Sequence, residues 1–340
     1  MTNLNTHDII NMKSDYGKKL TAAVESAYDL KITSYAPIPE ISLTSKKALI
    51  STSKGMLFLK EKPFYSKEPD SLFRSSSFQD YCSRNSDKFV NIIKTKDSSH
   101  YLEFQGSIYF LTPFVDAKSF TGKNEELFKM LETITVLRSL GKNYLKENHD
   151  QERLLPKNKS YEIMLPMLFF QPMINTSEEE KVIGDLKNAL KVLTQEFDSF
   201  NNVEYVMAHS DCILFNFQIL NEKAILHDFD NAKVLPSAHD IAEFFASSCL
   251  INYKGSITNL KLPIFLSCHK HNSNILANKI LKILRKDEIP LFIVCVEIIW
   301  IWSLMLSVLK EDYKMTDLAP AIENIFERKL HKELTDMFSS

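Results

Sequence analysis

The apolar residues of this chain follow a strand-like pattern near the N terminus and a helical pattern over most of the remainder. Residues 41–61 and 88–115 contain short β-compatible runs, and residues 70–84 between them are predicted to form a helix. Beyond Asp116 the apolar positions recur every three to four residues. The pattern therefore predicts a small β-rich region followed by a larger region that is mainly α-helical.

Two helices are predicted between Asp116 and residue 203, because large apolar side chains line one face of each. After Asp240 only helical signals remain, with Pro263 and Pro290 as expected helix breaks. The first stripe consists of Leu127, Leu131, Ile134 and Leu137, and the second consists of Leu186, Leu190, Leu193, Phe197 and Phe200.

Three short strands are predicted inside this helical region, at residues 204–207, 215–220 and 224–229. The last two are separated by the turn residues 221–223, which indicates a hairpin. Such a hairpin would bring Asp228 back beside Asn216. The polar residues around these strands are therefore expected to meet in one place.

The most apolar stretch, residues 290–309, contains Glu297 as its only charged residue. Its length is sufficient to span a bilayer. Glu297 would then lie near the membrane centre, where a carboxylate costs about 2.5–3.5 kcal/mol on insertion scales. A buried core helix is the favoured interpretation.

Composition narrows the class of protein further. A chain of 340 residues exceeds what one hydrophobic core usually supports, so two domains are expected. A net charge of −2 and the lack of a basic tract argue against binding to nucleic acid through phosphate contacts. The five cysteines are widely spaced and no signal sequence precedes them, which predicts free thiols in a cytoplasmic protein. The run Cys268-His269-Lys270-His271 offers few convergent ligands and is interpreted as a polar loop.

Residues 209–230 carry the motif with chemical content. It reads His209-x-Asp211-x-x-x-x-Asn216, followed by Asp228-Phe229-Asp230. Phosphoryl transfer from ATP requires a carboxylate that orients and deprotonates the acceptor hydroxyl, and oxygen ligands that hold Mg²⁺ across the phosphates. Asp211 fits the first role. Asn216 and Asp228 fit the second, and Asp230 is a further candidate metal contact.

Together with His239-Asp240-Ile241-Ala242, these motifs resemble the aminoglycoside phosphotransferase and choline kinase branch of the protein-kinase-like fold. Within that branch they look most like the bacterial spore-coat kinase-like proteins. The resemblance implies a two-lobed α+β fold with an N-lobe of residues 1–115 and a C-lobe of residues 116–340. It also implies that Asp240 holds the catalytic loop through backbone hydrogen bonds and that His209 braces this loop.

The resemblance assigns further roles in the N-lobe. Lys60, at the end of the strand 55–60, matches the lysine that grips the α and β phosphates of ATP. The run that ends with Pro113, Phe114 and Val115 resembles the hinge, whose backbone would meet the adenine edge. Strand alternation leaves the face of Lys60 open, so an outward lysine on an edge strand is the alternative.

Three features depart from the family pattern. The first small-lobe turn lacks the usual glycines, although Ser45 and Lys46 could supply donors and charge to the phosphates. Ser210 replaces the glycine that normally precedes the catalytic aspartate. No glutamate stands where the small-lobe helix should pair with the phosphate-gripping lysine, and Gln79 or Asp80 is the nearest substitute.

Two classes of function follow from these observations. The favoured one is an ATP- and Mg²⁺-dependent phosphotransferase that acts on a hydroxyl of a small molecule or of a peptide Ser/Thr. The alternative is a catalytically weak or inactive kinase-fold protein with a binding or spore-coat role. Neither nucleic acid nor a membrane is an expected partner. The acceptor and the oligomeric state stay open, because acceptor contacts come from variable loops and helices.

Overall fold

The computed structural model describes residues 14–37, 47–63, 69–121, 123–148, 176–200, 202–249, 273–309 and 314–339. The chain divides into two compact units, Met1–Lys118 and Ser119–Ser340. The first unit is built on a β-sheet, and the second is mainly helical. The predicted α+β organisation is therefore confirmed.

The N-terminal unit contains a five-stranded antiparallel sheet with the strand order β1-β2-β3-β5-β4. Two of its hairpin turns use glycines with positive φ, namely Gly55 (φ 110°), the first residue of β3, and Gly106 (φ 78°), just before β5. The strands are β1 (Ile32–Pro37), β2 (Lys47–Thr52), β3 (Gly55–Pro63), β4 (Leu102–Phe104) and β5 (Ser107–Pro113), and β6 (Lys118–Ser119) lies at the boundary of the units.

One face of this sheet is covered by α1 (Asp15–Tyr28), a helix that the sequence analysis did not predict. Its buried residues Leu20, Val24 and Tyr28 lie four positions apart, which places them on one side of the helix. They join the β3 residues Leu57 and Leu59 in one hydrophobic cluster. This face of β3 therefore forms the core of the unit.

The opposite face of the sheet is contacted by α2 (Pro69–Asn85), which coincides closely with the predicted helix 70–84. Leu72 of α2 packs against the cluster of Ile92, Ile108 and Phe110. Lys60 lies directly opposite Phe110 in the β3–β5 register, so both side chains point to this face. The face of Lys60, which alternation left open, is thus the one that α2 contacts.

The C-terminal unit consists largely of helices. The two predicted apolar stripes lie on α3 (Asn124–Glu147) and α4 (Ser177–Asp198), where all their members except Phe200, just beyond α4, are buried. A capping box of Thr176 and Glu179 begins α4. Further helices are α5 (His239–Cys249), α6 (Ile289–Leu309), α7 (Ala319–Phe326) and α8 (Lys329–Ser339), and residues 273–280 are also helical.

Two antiparallel strand pairs accompany these helices. Strand β7 (Tyr205–Ala208) pairs with β10 (Lys233–Pro236), and β8 (Phe217–Leu220) pairs with β9 (Lys223–Leu226). The three predicted strands are confirmed, but the predicted ends of two of them were wrong. Residues 215–216 belong to a 3₁₀ turn, Leu214–Asn216, and Asp228 lies beyond β9, before a 3₁₀ turn at Phe229–Asn231.

Helix α3 lies unusually close to β7. A Cβ atom placed on Gly141 would lie 2.0 Å from the backbone oxygen of Met207, so only glycine permits this approach.

The apolar helix α6 is long and apolar enough to cross a membrane, but 78% of its most apolar window is buried inside the unit. Glu297 is fully buried there, with Arg328 Nη2 at 3.2 Å and His331 Nδ1 at 3.0 Å from its Oε2. The predicted core helix is therefore confirmed. Pro290 was wrongly predicted as a helix break, because it lies in the first turn of α6, where a missing N–H is harmless. Pro263 lies outside the described residues.

Candidate active site

The loop that follows β7 contains the predicted base, Asp211, and is held by a buried carboxylate. The Asp240 side chain, at the start of α5, accepts the N–H of His209 at 2.8 Å and the N–H of Ser210 at 2.9 Å. Burial raises the pKa of Asp240 to about 6, while these two hydrogen bonds act in the opposite direction. The predicted structural role of Asp240 is confirmed.

Ser210, immediately before Asp211, has the left-handed backbone conformation, with φ 62°. This region favours glycine because a side chain there crowds its own backbone. The serine therefore adopts the conformation that the usual glycine would take without strain. The loop keeps its shape at a local energetic cost.

The second predicted site residue, Asn216, is buried and linked to the backbone of the base. Its Nδ2 donates to the Asp211 carbonyl oxygen at 2.8 Å, which leaves its Oδ1 as an acceptor for a cation. Its backbone oxygen accepts the N–H of His227 at 3.0 Å. The hairpin thus brings Asp228, the next residue, back beside Asn216, as the strand pattern predicts.

His209 braces this arrangement from inside. Its ring is fully buried, and its Nε2 lies 3.0 Å from the carbonyl oxygen of His227. A carbonyl oxygen only accepts, so the imidazole donates here. The ring also packs edge-on against Phe229 at a centroid distance of 4.6 Å. The bracing role inferred for His209 agrees with these contacts.

Asp228 and Asp230 precede and follow Phe229 in the sequence, and both residues are partly exposed. Asp228 has a left-handed backbone, with φ 70°, where the chain turns out of the hairpin. Carboxylate and amide oxygens are the ligands that Mg²⁺ prefers, and it usually keeps several waters. Asn216, Asp228 and Asp230 therefore form a donor set that fits a hard divalent cation.

Glu243, one helical turn after Asp240, is a site residue that the sequence analysis missed. Its Oε2 accepts the N–H of Cys212 at 2.6 Å, directly after the base. Burial and the nearby charges of Asp211 and Asp240 raise the pKa of Glu243 well above its ordinary value. The signal available in the sequence was its i,i+3 spacing from Asp240 on a predicted helix.

In the N-terminal unit, the two proposed partners of Lys60 bind elsewhere. Gln79 Nε2 donates to the Val90 carbonyl oxygen at 2.9 Å. Asp80 is paired with Lys94 Nζ at 2.9 Å and with Arg84 Nη2 at 3.2 Å. Burial alone would raise the pKa of Asp80, but these cations hold it below the ordinary value. Neither side chain therefore substitutes for the expected glutamate.

The predicted hinge residues follow the end of β5 at Pro113. The N–H of Phe114 donates to the Met56 carbonyl oxygen at 3.1 Å, and its ring is exposed. The carbonyl oxygen of Val115 accepts the N–H of Ala117 at 3.0 Å. The Phe114 N–H is thus hydrogen-bonded within the unit and is not available to an adenine ring. Ser45, Lys46 and the run 268–271 lie outside the described residues.

Four of the five cysteines fall within the described residues, and all four are buried thiols that form no disulfide. Burial raises the pKa of Cys249 and of Cys295 to about 12, so these thiols stay protonated at neutral pH.

Comparisons with known proteins locate the fold. No protein-family model matches the sequence, and no curated protein is similar to it. Among solved structures, an amicoumacin kinase in complex with AMP-PNP, Ca²⁺ and Ami has 11% sequence identity and a TM-score of 0.62, with 93% of this chain and 96% of that chain covered.

Two further kinases show the same likeness. An aminoglycoside phosphotransferase from Alicyclobacillus acidocaldarius has 13% identity and a TM-score of 0.54, with 93% and 94% of the two chains covered. A Plasmodium vivax ethanolamine kinase has 16% identity and a TM-score of 0.51, with 92% and 87% covered. The resemblance to spore-coat kinase-like proteins stays a prediction. The chain therefore shares the fold of these three kinases.

Proposed function

We propose that this protein is an ATP-dependent phosphotransferase that acts on a hydroxyl group of a small molecule. The observation that carries the proposal is the geometry of residues 209–228. One loop contains Asp211, and the Asn216 side chain donates a hydrogen bond to the Asp211 carbonyl oxygen. The Asn216 carbonyl oxygen accepts the N–H of His227, the residue before Asp228. These two bonds support the proposal that a base and oxygen donors for a cation come from one connected segment.

Asp211 accepts the proton of the acceptor hydroxyl as the new phosphate ester bond forms, and the bond between the γ-phosphorus and the bridging oxygen of ATP breaks. Asn216 and Asp228, with Asp230, would hold Mg²⁺. The bound cation neutralises charge on the phosphates. Lys60 would grip the α and β phosphates. The adenine edge would contact the backbone of Pro113, Phe114 and Val115. The phosphates would also contact the turn that contains Ser45 and Lys46.

A small-molecule acceptor is favoured over a peptide by the structural comparisons. The amicoumacin kinase and the ethanolamine kinase carry small-molecule acceptors in their names, and AMP-PNP and Ca²⁺ in the former support a nucleotide and a divalent cation for this chain. Since sequence identity is at most 16% among the three structures, the acceptor itself is not transferable.

A kinase-fold binding protein without turnover is the second candidate. The observation that favours it is in the N-terminal unit, where Gln79 and Asp80 have partners other than Lys60. Neither of them therefore takes the place of the glutamate that would position the phosphate-gripping lysine in the resembled family. The complete set Asp211, Asn216 and Asp228 argues for the enzyme, because a protein that had lost turnover would be expected to lose a metal ligand.

The substitution Asp211→Asn decides between the two candidates. It keeps the shape of the side chain and removes the base, so Mg·ATP affinity should be nearly normal while phosphate transfer falls about 10²- to 10⁴-fold. Transfer from [γ-³²P]ATP to a library of amino alcohols, sugars and Ser/Thr peptides measures this. Asp336→Asn, on the exposed surface of α8, is the matched control. Wild-type turnover that equals that of Asp211→Asn for every acceptor, together with equal basal ATP hydrolysis, would favour the binding protein.

A further inference from the structure

Two carboxylates on α5 bind the loop on both sides of Asp211. Asp240 accepts the N–H groups of His209 and Ser210, and Glu243 accepts the N–H of Cys212. Since Asp240 and Glu243 are three residues apart on one helix, they project from the same face. The backbone is therefore tied immediately before and immediately after the base.

The first half of this loop contains a strained residue. Ser210 has φ 62°, and a residue with a side chain in this conformation costs about 1–2 kcal/mol relative to the right-handed region. Such conformations persist only where surrounding contacts over-determine them. The short hydrogen bond that the Cys212 N–H, two residues after Ser210, donates to Glu243 is a contact of this kind.

We propose that Glu243 is a positioning residue for Asp211. Its bond to Cys212 holds the loop in a backbone conformation that a glycine at position 210 would adopt without strain. The proposal rests on the proposed function, in which Asp211 is the base. Asp240 holds the N-terminal side of the base and Glu243 holds the C-terminal side. Glu243 thus compensates for the serine at position 210.

The effect of Glu243 is expected on the chemical step. Without its bond to Cys212, the loop can relax out of the left-handed conformation, and Asp211 shifts relative to the acceptor hydroxyl. A displacement of about 1 Å in a reacting group can cost about 10²-fold in rate. Nucleotide affinity should change less than kcat, because the bond from the His227 N–H to the Asn216 carbonyl oxygen keeps Asp228 beside Asn216 without involving Glu243.

Kinetics of four variants test the proposal. Glu243→Ala should lower kcat about 10- to 100-fold, with KM for ATP within about threefold of the wild-type value. Glu243→Gln keeps an oxygen acceptor for the Cys212 N–H and should recover most of that loss. Ser210→Gly should recover most of the loss in the Glu243→Ala background, measured against the Ser210→Gly single variant as its reference. A Glu243→Gln variant as slow as Glu243→Ala, or no recovery by Ser210→Gly, would overturn the proposal.

Hydrogen exchange separates this proposal from the proposed function. Amide exchange of residues 209–213 in the nucleotide-free protein should accelerate about tenfold or more in Glu243→Ala, a loss of protection of about 1.4 kcal/mol, and return toward wild type in the Ser210→Gly double variant. If Glu243→Ala does not fold, Glu243→Gln and the double variant carry the test. Unchanged exchange in the folded variants refutes the positioning role even when the enzyme is active. Accelerated exchange supports the positioning role of Glu243 even if no acceptor is phosphorylated. In that case only the proposed phosphotransferase function is refuted.

Discussion

Removing the cation that neutralises Glu297 should destabilise the C-terminal unit strongly. Glu297 lies in the apolar helix α6 with its side chain fully buried, and Arg328 Nη2 lies 3.2 Å from it. The same guanidinium nitrogen lies 2.7 Å from Glu196 on α4. Arg328→Met keeps the length of the side chain and removes both ion pairs. Glu297 then retains only His331 at 3.0 Å.

The expected loss of stability follows from the cost of protonating the buried Glu297 carboxylate. Burial raises the pKa of Glu297, while His331 and Arg328 counteract this shift. Without Arg328 the group avoids a buried charge by binding a proton. For a glutamate with an ordinary pKa of 4.5, protonation at pH 7 costs about 3.4 kcal/mol. Breaking a buried pair typically costs about 3–5 kcal/mol. Because the Arg328 side chain is 28% exposed, we expect the lower end, about 3 kcal/mol.

The pH dependence has a definite sign. In Arg328→Met the folded-state pKa of Glu297 rises further above its unfolded value, so the folded state binds the extra proton. The loss of stability relative to the wild type therefore grows as the pH rises above the wild-type folded-state pKa and shrinks as the pH falls toward it. The slope is at most about 1.4 kcal/mol per pH unit within this window, so a loss of about 3 kcal/mol at pH 7 shrinks by at most about 2 kcal/mol at pH 5.5.

Urea unfolding followed by tryptophan fluorescence measures this effect in the C-terminal unit alone. The chain has two tryptophans, Trp300 and Trp302, and both lie on α6. The control Lys329→Met removes a neighbouring, exposed ion pair with Glu327 and should leave the midpoint unchanged. Glu297→Gln in the Arg328→Met background should restore most of the loss. A loss below about 1 kcal/mol at pH 7, or a loss independent of pH, refutes the reasoning.

Three further predictions use other parts of the structure. Gly141→Ala should destabilise the fold by about 1–3 kcal/mol in the same unfolding assay, because its Cβ would meet the Met207 oxygen. Gly184→Ala is the control in helix α4, where a Cβ would have no atom within 4 Å, and it should stabilise the fold by about 0.5–1 kcal/mol. A reversed order would contradict the packing argument. Asp228→Ala should abolish Mg²⁺-dependent ATP binding in calorimetry while the unfolding midpoint stays unchanged, and normal Mg·ATP affinity would remove Asp228 from the metal site. Because helix α6 is mostly buried, the full chain should stay in the supernatant without detergent, and recovery only in a carbonate-resistant membrane pellet would disprove a core role for residues 290–309.

Much of the candidate site was predictable because its signals are local in sequence. The strands 217–220 and 223–226 are joined by a two-residue turn, so their register and the return of Asp228 to Asn216 follow from a short hairpin. The stripes on α3 and α4 were equally readable, since a helix repeats its face every 3.6 residues. Helix α1 was missed, although Leu20, Val24 and Tyr28 carry the same periodicity.

The sequence by itself therefore determined the division into a β-rich and a helical region, the α+β class, and the return of Asp228 to Asn216, because each depends on residues close together in the chain. Only the tertiary structure decided the face of Lys60, the partners of Asp80, the close approach at Gly141, and the bond of Glu243 to Cys212. These depend on which surfaces of separate elements meet. Cys212 and Glu243 are 31 residues apart, and their contact exists only because α5 packs beneath the loop. Strand alternation and helical periodicity predict which side chains share one face of an element. Which residues of another element contact that face depends on how the elements pack together.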